Sequence, residues 1–316
     1  MNNSVFIIVP AYEETRLIDT LRSCIDNAVY PERLRFAVAL QYKELPEPDL
    51  SEFAEYIVGI DRYDVDTRPG LTRIRYNLVN NYFTDEEFFM SIDAHNQFDK
   101  SWDETLYNDY AELVSKYGNK VVYSKQVADY YGKIDRDILE VTRWEFNKDF
   151  SNPKVASSYG IDQNHTIIGN IFGAPQWINS PDKFVKTQFI SMHLAFAPRD
   201  WVLEVGVNPD LQVFGEETFR SIVSYMAGWD TYARTDYNHL GHMPKVGDPN
   251  KKHMYDMWWD LKELRDDPLE TVLEQDKCII LNDGKFSTYF QRAPFDFWNE
   301  IGYGNLFPKL VSLVKK

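Results

Sequence analysis

The sequence predicts an α/β fold: a mostly parallel central sheet flanked by helices, with a small helical extension at the C-terminus. Three observations predict it. Residues 5–9 and 36–40 are short, continuous apolar runs, and 88–92 is apolar but for Ser91; such runs are of the kind buried on both faces of a parallel sheet. Segments with helical apolar spacing separate them. A chain of 316 residues that is 44% hydrophobic can fill the core of one such domain plus an extension.

The elements follow in order. Residues 5–9 form a strand that ends at Pro10. Residues 15–28 form a helix with Leu17, Ile18, Leu21, Ile25 and Ala28 on one side, followed by a turn at Tyr30-Pro31-Glu32-Arg33. Residues 36–40 are a second strand, which makes a β-α-β unit with a right-handed crossover. A proline-bearing loop at 44–48, a strand at 55–60 and a charged loop at 61–70 come next. A helix is expected over 71–80, a strand over 88–92, a helix over 102–117 ended by Gly118, and a strand over 121–123. Residues 134–181 read as irregular, with short strands. Residues 189–196 read as a strand, 216–227 as a helix closed by Gly228, and 231–233 as a short strand. Helices at 253–265 and 269–275, broken by Pro268, belong to a C-terminal lobe. The expected division is 1–245 for the main domain and 246–316 for the lobe packed on it.

Composition narrows the function. The net charge is −15. Such a surface repels phosphate backbones, which disfavours duplex nucleic acid, and it eases divalent-cation binding. Cys24 and Cys278 are too few and too far apart for a disulfide framework and read as buried free thiols. No apolar stretch reaches the length of a membrane span, and residues 1–12 lack the basic region of a signal peptide. A reducing, cytoplasmic setting is the expectation. Neither G-x-x-x-x-G-K-[ST] nor G-x-G-x-x-G occurs, which argues against P-loop NTPases and ordinary nicotinamide dehydrogenases.

Four constellations carry candidate chemistry. Asp93-Ala94-His95 follows the 88–92 strand directly. In extended backbone residues i and i+2 point the same way, and open α/β sheets bind ligands beyond the carboxyl ends of their strands. A carboxylate with an imidazole suits Mn²⁺ or a similar metal. The acid-x-acid pairs Asp64/Asp66 and Asp135/Asp137 follow no apolar strand and read as solvated charge. Glu216 and Glu217 open a helix after Gly215; paired acids there either serve the helix dipole or reach a substrate. His239 and His242 are each a candidate third metal ligand, whereas His165 and His253 read as structural. Arg73 and Arg75 stand two apart on a helix, so only one can face the site, where it would pair with phosphate or carboxylate. Trp102 and Asp103, just past the acid-x-His segment, and His193 are the candidate substrate-side residues.

In this order the pieces resemble a nucleotide-sugar glycosyltransferase of the GT-A type. The resemblance is strongest to the cytoplasmic hydroxyproline-linked GlcNAc-transferase family, and more distant to the polypeptide GalNAc-transferases. It is carried by Ile8-Val9-Pro10-Ala11-Tyr12-Glu13, the stretch from Leu17 to Arg33, Gln41, and Gly70 to Arg75. Ser91-Ile92-Asp93-Ala94-His95 with Phe98, Trp102 and Asp103 continues it, followed by Phe214 to Glu217, Gly228 and His239. It implies a Rossmann-like GT-A sheet. Pro10, Ala11, Tyr12 and Glu13 would hold uracil and ribose, and Arg75 would lie against the donor. Asp93 and His95 would bind Mn²⁺ (or Mg²⁺) and the diphosphate, with His239 as the third ligand. Glu216 would touch the donor sugar or acceptor hydroxyl, with Glu217 beside it. The chain departs from the family at Ala94, Leu71 and Val223.

The expected function is therefore metal-dependent transfer of a sugar from a UDP-sugar to a hydroxyl on a protein, glycan, small molecule or modified nucleobase, with retention. The competing expectations are a sugar-nucleotide-forming transferase, which calls for a glycine-rich first loop that residues 10–16 lack, and a nonenzymatic glycan-binding module.

Overall fold

The computed structural model describes residues 3–67, 69–130, 134, 140–146, 171–177, 180–205, 207, 209, 216–243, 277–281 and 290–315. The expected helices at 253–265 and 269–275, the boundary near 245, Asp135, Asp137, His165, His253, Phe214 and Gly215 lie outside these residues.

The central sheet is built from β1 (Val5–Tyr12), β2 (Leu34–Gln41), β3 (Ile57–Arg62), β4 (Phe88–Ile92), β6 (Val121–Ser124), β9 (Phe184–Lys186), β10 (Leu194–Pro198) and β11 (Asp230–Arg234). Their order is β3-β2-β1-β4-β10-β6-β11-β9. The first four are mutually parallel, as are β6 and β11, while β10 and β9 run antiparallel to their neighbours. This is the mostly parallel α/β architecture that the apolar runs predict.

Each continuous apolar run feeds two cores, because successive side chains leave a strand on opposite faces. Val5, Ile7 and Val9 pack with α1 (Leu17–Asp26) and α3 (Trp102–Tyr117) on one face. Phe6 and Ile8 pack with α2 (Leu71–Tyr82), α4 (Arg199–Glu204) and α5 (Glu216–Met226) on the other. Leu17, Leu21 and Cys24 are the buried stripe of α1, at helical spacing. Gly118 ends α3 with φ 91, a backbone state that glycine adopts without strain. The helices α6 (Pro294–Glu300) and α7 (Phe307–Val314) join the second core through Phe297, Trp298 and Leu310, beside Cys278. Both cysteines are free and buried.

The structure corrects one expectation. Residues 189–193 are not strand; β10 begins only at Leu194. Their apolar side chains are buried all the same. The backbone N–H groups of Ile190, Ser191 and Met192 donate to the side chains of Ser221, Ser124 and Glu217, so side-chain oxygens replace a strand ladder there. In the segment read as irregular with short strands, β7 (Glu140–Phe146) and β8 (Ile171–Trp177) form a seven-residue antiparallel pair. A second small sheet pairs β5 (Asn96–Phe98) with β12 (Leu240–His242).

Candidate metal centre

Strand β4 ends at Ile92, and Asp93, Ala94 and His95 lead from it into β5. Antiparallel pairing of β5 with β12 sets Asn96 opposite His242, and the Met243 N–H donates to the His95 carbonyl at 2.8 Å. This register carries His242 across more than 140 residues of chain to the acid-x-His segment. A second contact holds it there: the His242 N–H donates to the Ala128 carbonyl at 2.8 Å. Tyr130 crosses so near that a Cβ on Gly241 would lie 3.0 Å from the Tyr130 Cβ, so this close approach favours glycine.

Asp93, His95 and His242 each offer a ligand atom, all within 4.8 Å of one another. The two imidazoles meet through Nε2 atoms 2.7 Å apart, and His242 Nε2 lies 3.7 Å from Asp93 Oδ2. His193 Nε2 lies 3.7 Å from the same oxygen, with its ring stacked on His242. Burial works to raise the Asp93 carboxyl, but His193, His95, His242 and Arg75 outweigh it and hold the group well below the usual carboxylate range. Burial, opposed by Asp93, pushes His242 down to about 4. A neutral imidazole and an ionised carboxylate are the forms that ligate a metal. The mixed oxygen and nitrogen donor set fits a divalent first-row ion.

His239 lies elsewhere. It is buried three residues earlier, with Nε2 3.1 Å from Asp109 Oδ2 and Nδ1 3.1 Å from the Tyr123 hydroxyl. Asp109 also accepts from Arg234 and pairs with Lys183. The structure thus brings His242, not His239, to Asp93 and His95. The expectation of His239 as third ligand is corrected by strand pairing, which points the two histidines at different surroundings.

Arg75 reaches the same region from α2. Burial works against its charge, but Glu216, Asp93 and Glu217 outweigh that effect and hold it protonated. Its Nη1 meets Glu216 Oε2 at 2.5 Å, and Arg220 meets the other Glu216 oxygen at 3.2 Å. Glu216 is therefore clamped between two guanidinium groups. The Nε atoms of Arg75 and Arg220 are buried without a hydrogen-bond partner among the described residues. Glu217 is less enclosed; one oxygen accepts from the Met192 N–H at 2.6 Å, and burial raises its carboxyl.

The remaining expected residues separate into two groups. Pro10, Ala11 and Tyr12 close the carboxyl end of β1, whose register sets Ile8 opposite Ser91, so Pro10 and Asp93 leave neighbouring strands at the same level. Glu13, by contrast, accepts three backbone hydrogen bonds, from Lys43, Glu44 and Leu45, at 2.6–2.9 Å. Trp102 is buried and donates to the Cys24 carbonyl, while Asp103 accepts from the Val29 and Tyr30 N–H groups. Trp102 thus ties to the last turn of α1, and Asp103 fixes the turn that follows it. Asp64 and Asp66 sit in an exposed turn, where Asp66 pairs with Lys43. Sequence reasoning missed Glu14, whose Oε2 lies 2.8 Å from His95 Nδ1, and Asp129, whose Oδ1 lies 3.5 Å from His242 Nδ1.

Residues 46–250 match the sequence profile of a family described as Glycosyltransferase (GlcNAc). The chain belongs to this GlcNAc glycosyltransferase family. Among solved structures the chain is similar to GalNAc-T7 with UDP, GalNAc and Mn²⁺, with a TM-score of 0.56 and 14% identity over 95% of this chain. The match spans 58% of the GalNAc-T7 chain, and the likeness is one of GT-A fold. Two structures of S. aureus TarS also match. One has a TM-score of 0.47 and 10% identity, covering 96% of this chain and 43% of that one. The other, TarS 1-349, has 0.44 and 12%, covering 98% and 83%. No curated protein matches the chain in sequence. Among the described residues, no helix is long and apolar enough to cross a membrane.

Proposed function

We propose that this glycosyltransferase uses a UDP-sugar and a divalent cation, Mn²⁺ or Mg²⁺, held by Asp93, His95 and His242, to glycosylate an acceptor hydroxyl with retention. The observation that carries the reading is the convergence of those three side chains beyond the carboxyl end of β4. The description of GalNAc-T7 with UDP and Mn²⁺ supports the same donor and cation class here.

When bound, the metal supplies positive charge to the diphosphate as it leaves the sugar. The chain's own groups do the rest. Pro10, Ala11 and Tyr12 form the wall for the uridine at the end of β1. Arg75 adds fixed charge against the departing diphosphate, where preorganised charge favours the transition state. Glu216 holds Arg75 in place, and Glu217, with His193 beside it, faces the donor sugar or acceptor. Resemblance to the hydroxyproline-linked GlcNAc-transferases makes a protein hydroxyl the leading acceptor, with a same-face attack in which the leaving phosphate oxygen takes the acceptor proton. The −15 charge disfavours duplex nucleic acid as acceptor.

The test is incubation of the protein with a panel of UDP-sugars and Mn²⁺, reading UDP release and product mass. Activity that is lost on chelation with EDTA and restored by Mn²⁺ is the expected result. Full activity after chelation would overturn the metal role.

A further inference from the structure

The two facing imidazoles share an orientation. Each turns Nε2 inward, toward the other ring, and Nδ1 outward, toward a carboxylate. The two outer contacts are not equal. His95 Nδ1 lies 2.8 Å from Glu14 Oε2, and the Glu14 side chain is only 3% exposed. His242 Nδ1 lies 3.5 Å from Asp129, whose side chain is 49% exposed.

Glu14 is held at several points. Its Oε1 accepts from the Arg16 N–H at 3.0 Å, and its carbonyl accepts from the Tyr42 hydroxyl at 2.7 Å. The chain turns just before it: Glu13 has φ 41, in the left-handed region. The two adjacent acids consequently diverge. Glu13 ties down residues 43–45, and Glu14 reaches His95.

An ionised carboxylate only accepts hydrogen bonds, so its partner nitrogen must carry the proton. A proton on His95 Nδ1 leaves a lone pair on Nε2, the atom that faces His242 and Asp93. We propose that Glu14 is a positioning residue for the metal ligand His95: it fixes the Nδ1–H tautomer and the ring orientation, so that Nε2 is presented to the cation. This rests on the metal-centre reading above. Carboxylate partners of ligating histidines fix the tautomer and raise ligand basicity, and their loss typically costs about 10–100-fold in metal affinity.

The experiment measures Mn²⁺ affinity by the electron paramagnetic resonance signal of free Mn²⁺. It compares the wild type, Glu14→Ala, Glu14→Gln, His95→Ala and the Glu14→Ala/His95→Ala double variant. Histidine ¹⁵N NMR of the metal-free protein reads the His95 tautomer directly. Glu14→Ala is expected to weaken Mn²⁺ binding by about 10–100-fold and to mix the tautomers. Glu14→Gln, which keeps an acceptor oxygen, is expected to weaken binding less. In the His95→Ala background, loss of Glu14 is expected to change nothing further, since the two act as a unit. Wild-type affinity and an unchanged tautomer in Glu14→Ala would overturn the inference alone, as would an equal loss in the His95→Ala background. A wild-type protein that binds no Mn²⁺ would overturn the metal reading and this inference with it. Should Glu14→Ala not fold, the Glu14→Gln affinity and the wild-type tautomer carry the same decision: an Nε2–H tautomer in the wild type contradicts it.

Discussion

Arg75 and Glu216 meet at 2.5 Å across 141 residues of sequence, with side chains only 4% and 2% exposed. Breaking a buried ion pair by removing one charge costs about 3–5 kcal/mol, because the partner is left uncompensated. Glu216 faces two arginines, so Glu216→Gln is expected to destabilise the protein by an amount in that range. Glu217→Gln, in the less enclosed position, is expected to cost clearly less. Urea unfolding of the two variants checks this. Equal, small losses would contradict the clamp.

Glu13 predicts a second contrast among acids. Its three backbone hydrogen bonds hold residues 43–45 against the end of β1. Glu13→Ala is expected to lower stability by at least about 1.5 kcal/mol, as hydrogen bonds to charged groups do. Asp66→Ala, which removes an exposed pair with Lys43, is expected to cost clearly less, because solvent screens such pairs. Denaturant titration of both variants reads the difference.

The contrast between Glu13 and Glu14 shows where the sequence stops being legible. The apolar runs name β1, β2 and β4, and the helical stripes name α1, α2 and α3, because local patterning is enough for elements whose buried faces are set by their own spacing. Residues 189–193 mislead because burial alone looks like a strand; the side chains of Ser124, Glu217 and Ser221 that satisfy their backbone come from distant positions. Asp93 and His95 are legible because strand geometry aligns i with i+2. His242 is not separable from His239 without the pairing of β5 with β12, which is a long-range register. Glu14 is hidden because a left-handed residue at Glu13 redirects the chain locally.

Acid is expected to weaken the metal-free protein through half-buried His242 and buried His239. The folded-state value of His242 is pushed down to about 4, below its ordinary 6.5, and burial also lowers His239, against the pull of Asp109. The unfolded chain then binds more protons below the ordinary value. The stability contributed by the neutral rings is full above 6.5 and is lost as the pH falls toward 4. Unfolding measured on EDTA-treated protein between about pH 7 and pH 5 is expected to show this decline, and His242→Gln is expected to flatten it. A slope unchanged in that variant would contradict the assignment.

The two histidines also differ in what their removal does to the cation. His242→Ala is expected to weaken Mn²⁺ binding strongly while leaving a measurable residual affinity. His239→Gln is expected to lower thermal stability, through lost contacts to Asp109 and Tyr123, while leaving Mn²⁺ affinity within a few-fold of wild type. Calorimetric titration with Mn²⁺ separates them, and the reverse pattern would restore His239 as the ligand.

Anomalous diffraction from crystals grown with Mn²⁺ and UDP asks the central question most directly. The account predicts one manganese peak bonded to an Asp93 oxygen and to the Nε2 atoms of His95 and His242, with UDP reaching the same ion. A peak held by His239, or no peak beside Asp93 with UDP bound, would contradict it.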